Sequence, residues 1–312
     1  DYALQYSTTH KGTCTTATFS GDGRYAASGS GDTTIKVIDV SKMGARIESI
    51  EDKPVIKTLY DHEDQINDVA FHPNGLVLAS SSSDCKIKLF DLTKPNPKRS
   101  FQYYVDALPV LSLSFHPSGD FIATTARSAH SLRLHDTKTF QSYTASRIPE
   151  EQHTATIRQV RYAENGSQLV TASEDGTIKL WDTVAGNCVR TLENVHGGQG
   201  AVSAQFSRNS KYILSSGRDS TIKLWETTSG RLVHQFDGAT RNKRNAPAIF
   251  NHNEAMVISV DESTNSIMCW DSRNGSFIKK WIAHNSPINW IAASPTDPGI
   301  ISCSDDFKIK YW

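Results

Sequence analysis

Apolar and polar residues alternate along this chain in short bursts. Ile213 to Ser216 (ILSS) and Ile222 to Trp225 (IKLW) are typical short runs of this kind, and each reads as a strand. No apolar run approaches the ~18 residues of a membrane span. The bursts are punctuated by the pairs Asp22-Gly23, Asn74-Gly75, Ser118-Gly119 and Asn165-Gly166, which suit tight turns between antiparallel strands. The expected local unit is a meander of about four strands, and the fold class is all-β.

That unit repeats. TIKVID at Thr34 to Asp39, KIKLFD at Lys86 to Asp91, TIKLWD at Thr177 to Asp182 and TIKLWE at Thr221 to Glu226 recur through the 312 residues. A His, an aromatic residue closing an apolar strand, an Asp and a second bulky residue keep a common spacing. His62, Phe71, Asp84 and Phe90 show it, as do His10, Phe19, Asp32 and Ile38. The series continues with His153, Tyr162, Asp175, Trp181; His196, Phe206, Asp219, Trp225; and His284, Ala293, Asp306, Trp312. Two degenerate units fill the gaps, one from Asp106 through Phe115 to His135 and one from Ala239 through Phe250 to Trp270. A sheet apolar on both faces must be covered on both, so seven units imply a closed seven-bladed β-propeller spanning 1–312 as one domain. The last unit stops at Trp312 after three strands, so Tyr2 to Tyr6 is expected to complete blade seven and seal the ring.

Charge narrows the function classes. The chain has 33 Lys plus Arg against 33 Asp plus Glu, so no global field draws it onto a polyanion. The five cysteines include no C-x-x-C pair and read as reduced thiols of an intracellular protein. Asp1 opens directly into patterned sequence without a signal peptide, and the absence of an initiator Met suggests a fragment of a longer protein.

Ser215, His196 and Asp219, or Ser302, His284 and Asp306, contain the residue types of a nucleophilic triad. Thr171, His153 and Asp175 form a third copy, and a catalytic triad has no reason to recur with the scaffold. Each set is instead expected to form a hydrogen-bond chain ending at a donating indole, that of Trp181, Trp225 or Trp312. Blades three and six lack both His and Asp at the aligned sites. No Gly-rich phosphate loop, metal cluster or paired carboxylates appear, so no enzyme, cofactor or metal is expected. His72-Pro73 and His116-Pro117 read as turn formers.

The His, Asp and I-K-L-W-D pattern resembles the WD-repeat family across the whole chain. Longer strings resemble one group within it, the WD-repeat subunits of the cleavage stimulation factor: residues 1–33, FHPSGDF at Phe115 to Phe121, FSRNSKYILSSGRDS at Phe206 to Ser220 and SPTDPGIISCSDDF at Ser294 to Phe307. The insertion Lys42 to Lys53 departs from that group. The resemblance implies a nuclear, non-enzymatic interaction subunit in mRNA 3′-end formation. It implies docking to the factor's helical-repeat scaffold subunit, other 3′-end processing proteins as further partners, and support for recognition of GU-rich downstream RNA through the assembled complex. Homodimerisation is expected only through an N-terminal region that this chain lacks. The alternative is a generic WD-repeat adaptor for modified peptides or ubiquitin in another nuclear complex.

In such propellers, residues after each His and before each Asp share one face around the channel, here Thr13, Thr15, Gln65, Asn67, Pro109, Leu111, Thr156, Arg158, Glu174, Val202, Arg218, Arg244, Pro287, Asn289 and Asp305. Gln65, Asn67, Arg158, Glu174, Arg218, Arg244, Asn289 and Asp305 are the candidate partner contacts. Arg158, Arg218 and Arg244 suit carboxylates or phosphates as bidentate anchors; the alternative reading is solvated loop arginines. Arg241, Lys243 and Arg244, in the run RNKR, are candidate RNA contacts. Tyr103, Tyr104 and Trp281 either pack on neighbouring blades or form an exposed apolar patch.

Overall fold

The computed structural model describes residues 2–44, 49, 51–146, 148–241 and 243–312. Among them lie seven antiparallel four-stranded sheets and no α-helix. Blades one to six occupy 14–59, 66–105, 110–144, 157–192, 201–236 and 249–282. Blade seven combines the strands Ile288–Ala293, Ile300–Ser304 and Lys308–Tyr311 with the N-terminal strand Tyr6–Thr9.

Ring closure therefore uses the N-terminus, but not the residues expected. Tyr6 pairs with Tyr311 and Thr9 with Lys308, so the closing strand runs over Tyr6–Thr9 rather than Tyr2 to Tyr6. The partner strand ends at Tyr311, and Gln5 makes the last ladder bond, from its N–H to the Tyr311 carbonyl at 2.8 Å. Tyr2 then leaves the sheet and stacks on Trp281 of blade six, rings 5.0 Å apart.

The core lies between blades. One cluster joins Ile35, Val37 and Leu59 of blade one to Ile66, Leu78 and Phe90 of blade two. Another joins Cys14 and Ile38 of blade one to Ile301, Cys303 and Ile309 of blade seven. Each sheet buries both faces, so no blade is expected to stand alone. At the turns between first and second strands, Gly75 and Gly166 take positive φ (71° and 73°), which Asn-Gly pairs allow at little cost.

One irregularity shapes the channel mouth. The first strands of blades one to five and seven each slip register at their second residue, as between Cys14 and Thr16 or Ile157 and Gln159. The slipped residues are Thr15, Asn67, Leu111, Arg158, Val202 and Asn289. A bulge re-aims its extra residue out of the alternation, and all six turn toward the channel mouth. The first strand of blade six is reduced to Ile249–Phe250.

Candidate partner-docking mouth

The repeated polar residues form closed chains within the blades. In blade four, Trp181 Nε1 donates to Thr171 Oγ1 at 2.9 Å, and His153 places Nε2 2.7 Å from Thr171 Oγ1 and Nδ1 2.8 Å from Asp175. Blade five repeats this with Trp225, Ser215, His196 and Asp219, and blade seven with Trp312, Ser302, His284 and Asp306. One tautomer satisfies every member: indole N–H to hydroxyl, hydroxyl to Nε2, and Nδ1–H to carboxylate. Burial pushes the three histidines below their usual range and outweighs the aspartates. Burial raises Asp219, but the His196 hydrogen bond and charge, with Thr221, hold it at about 2. These are triad distances without triad access, because Ser215 and Ser302 are fully buried and each hydroxyl already accepts an indole N–H. Blades one and two keep the His–Asp–Ser part, at His10, Asp32 and Ser28 and at His62, Asp84 and Ser80.

The degenerate blades carry substitutes rather than gaps. In blade three, Asp106 stands at the histidine position and pairs with Arg133 at 3.0 Å, while His135 fills the indole position, 2.8 Å from Thr124 Oγ1. In blade six, Arg241 stands 18 residues before Ser259, the spacing that separates His153 from Thr171. Its guanidinium donates to Ser259 Oγ, Ser216 Oγ and the Ala246 carbonyl.

This placement overturns part of the expected RNA contact. Arg241 is 2% exposed and cannot present its charge to a phosphate. The reason is packing: the blade needs a donor at that site, and a guanidinium satisfies three acceptors at once. Arg244 and Lys243 do reach the channel mouth, where the Glu262 carboxylate accepts from both their backbone N–H groups. Asn242 lies outside the described residues, as do several residues of the Lys42 to Lys53 insertion.

The mouth is a recess of about 240 Å³. The six bulge residues line it together with Thr13 and Gln65, and blade six contributes Lys243, Arg244 and Asn245 in place of a bulge. The three candidate arginines are all partnered. Arg158 Nε donates to Glu174 at 2.8 Å, Arg218 to Asn245 at 3.1 Å, and Arg244 binds Asn289 and Asp305. Asn289 also donates to Asp305 and to the Cys14 carbonyl, Thr15 to the Ile66 carbonyl, and Asn67 to the Val110 carbonyl. A polar belt thus stitches blade to blade around the mouth. Arg158 and Glu174 belong to one ion pair on blade four, while Asp305 and Arg244 bridge blades six and seven.

The sequence reading omitted three mouth residues: Trp290, Gln159 and Asn245. Trp290 follows Asn289 directly in the INWIAA strand, so its aromatic ring was the available signal. It reaches across the channel to within 5.8 Å of the Arg161 guanidinium, giving the recess a floor. At the rim, Tyr104 packs onto blade three through its hydroxyl and the Asp136 carbonyl, whereas Tyr103 is exposed. His72 and His116 do more than form turns: each faces a carbonyl of the next blade, Gly119 or Gly166, at 3.2 Å.

The model of the WD domain, G-beta repeat matches residues 3–39, 53–91, 97–136, 147–182, 186–226 and 275–312. The chain belongs to the WD-repeat family. The span 227–274, which holds most of blade six, lies between matched segments. Among curated proteins, the chain is 45% identical over 306 residues to cleavage stimulation factor subunit 50 of Arabidopsis thaliana, covering 97% of this chain and 71% of that protein. It is also 31% identical over 146 residues to nuclear distribution protein PAC1 of Arthroderma otae, covering 45% of this chain and 31% of that one. Periodic tryptophan protein 2 of Saccharomyces cerevisiae is 28% identical over 155 residues, half of this chain and 16% of its own length. The two shorter matches cover half of this chain or less, whereas the first follows it nearly end to end.

Proposed function

We propose that this propeller is a non-enzymatic interaction subunit of the nuclear machinery that forms mRNA 3′ ends, and that its channel mouth docks a segment of the helical-repeat scaffold subunit of the cleavage stimulation factor. The similarity to cleavage stimulation factor subunit 50 over 97% of the chain supports the assignment to this complex. One geometric observation carries the docking reading. Six bulge residues and the loop of blade six converge on a single floored recess bordered by Arg158 and Arg244. A pocket wide enough for one or two side chains, with arginines at its edge, suits a peptide anchor better than a nucleic-acid track. RNA recognition then belongs to the assembled complex, since the chain's charges balance and Arg241 is buried.

Calorimetric titration of the scaffold subunit into this chain tests the reading, beside the Arg158→Ala, Arg244→Ala double variant and a GU-rich RNA. The expected result is scaffold binding that the double variant weakens at least tenfold, with little RNA binding. Scaffold affinity untouched by the double variant, or tight salt-sensitive RNA binding by the propeller alone, would sink it.

A further inference from the structure

Below the Trp290 floor the channel opens into a second cavity of about 380 Å³, toward the face opposite the mouth. Its walls are mixed, with Ala70, Phe71, Phe115, Ile249 and Phe250 among the apolar residues and Thr18 and Ser114 among the polar ones. Polar side chains also line it: Gln205 of blade five already spends its amide on the Ala248 carbonyl, and two further donors come from one strand of blade four. Gln159 and Arg161 lie two residues apart there and both line the cavity.

Both side chains have donors left over. Gln159 is 5% exposed; its Oε1 accepts from the Ala204 N–H at 3.0 Å, which fixes the orientation of the amide. Its Nε2 has no hydrogen-bond partner among the described residues. Arg161 spends Nη1 on Asp68, on Ser112 and on two carbonyls, those of Leu113 and Val160. Its Nε and Nη2 have no partner among the described residues, and one face of the guanidinium lies against the Trp290 ring. The Nε and Nη2 hydrogens point side by side, the edge that accepts a carboxylate bidentately.

We propose that this lower cavity binds the carboxylate of an apolar acid, with the carboxylate on the Arg161 edge and Gln159 Nε2 and the apolar arm among the phenylalanines. Asp68 tempers the charge. Its Oδ2 lies 3.0 Å from Arg161 Nη1 and offsets part of the guanidinium charge, which disfavours a phosphate dianion more than a carboxylate. An apolar arm would cover Phe71, Phe115 and Phe250, which a bare inorganic anion would leave uncovered. The site shares Gln159 and Trp290 with the mouth recess but faces the opposite end of the channel, so it does not depend on the docking proposed above.

The test uses 3-phenylpropanoate, a peptide ending in Leu-Phe with a free carboxylate, and the amide of each, titrated into the chain and followed by NMR. Either carboxylate should bind at least tenfold more tightly than its amide. A stronger response to 3-phenylpropanoate would identify a free acid as the source, and a stronger response to the peptide a protein carboxyl terminus. Ala70→Phe, which fills the cavity while leaving the Arg161–Asp68 pair intact, should abolish the response without unfolding the chain; Arg161→Met should also abolish it, provided thermal melting shows it folded. Equal binding of acids and amides, no binding of any probe, or carboxylate binding that survives Ala70→Phe would overturn the proposal.

Discussion

Blades five and six lie side by side and face the same structural demand with different chemistry. In blade five, the site between the inner and outer strands holds His196, with Asp219 on one side of the ring and Ser215 on the other, and the Trp225 indole ends the chain. Here the histidine stands 19 residues before its serine, one more than in the other histidine blades. Gly217 makes the room, since a Cβ there would lie 2.1 Å from His196 Cγ. In blade six, Arg241 enters the corresponding site, Ser263 stands where Asp219 would be, and the Trp270 indole donates instead to the Asp237 carbonyl. Asp261, two residues earlier, takes Lys280, Ser263 and Thr264. The demand is for donors and acceptors at a dry turn, and the residue that meets it is free to change. The loop that brings Arg241 inward also carries Lys243 and Arg244 to the mouth, so the same departure alters the lining of the recess.

Removing Arg241 should have the largest effect on this contrast. Arg241→Ala leaves two hydroxyls and a carbonyl without their donor and opens a cavity, which should cost about 3 kcal/mol or more in chemical denaturation. The pair Arg241→His with Ser263→Asp rebuilds the blade-five arrangement in blade six and should recover part of that loss. No recovery by the double variant would show that the two blades are not interchangeable solutions.

Asp219→Ala should cost less, about 1 to 3 kcal/mol, because it takes the carboxylate from His196 Nδ1 but leaves Thr221 Oγ1 within 3.1 Å of that nitrogen, the ring packed and Ser215 still held by Trp225. Thermal unfolding measures it. An unchanged melting temperature would remove the network from the account of blade five.

The contrast also explains what was legible in the sequence. Strand patterning and the TIKLWD phrase carry the fold, since each strand must show its apolar face regardless of which polar residue fills the turn. The mouth was legible wherever residues keep register with His and Asp, as Asn67, Arg158 and Asn289 do. Arg241 was misread because a buried guanidinium and a solvated one look alike within RNKR; only the 18-residue spacing to Ser259 separates them. Trp290 was missed because the residue after a bulge cannot be assigned to a face until the bulge itself is known.

The smallest expected effect is a difference in acid sensitivity between the two blades. Burial holds His196 below the 6.5 of a free histidine, so as pH falls below 6.5 the unfolded chain takes up a proton that folded blade five resists. Stability therefore falls with pH in that window. Asp219 adds to the loss at lower pH. Its contribution is full above 3.8 and disappears as pH falls toward its folded value of about 2. Blade six has no histidine at the corresponding site: Arg241, although lowered by burial to about 10, keeps its charge, and Asp261 is held below its usual range against the opposing effect of burial by Lys280 and Thr264. Hydrogen exchange of the second strands, Tyr212–Gly217 and Met256–Asp261, corrected for intrinsic rates, reads both blades in one sample. Protection should fall from pH 7 to pH 5 in the first strand and hold in the second. Equal loss in both would mean that the ring opens as one unit, and that replacing histidine with arginine gives blade six no acid resistance of its own.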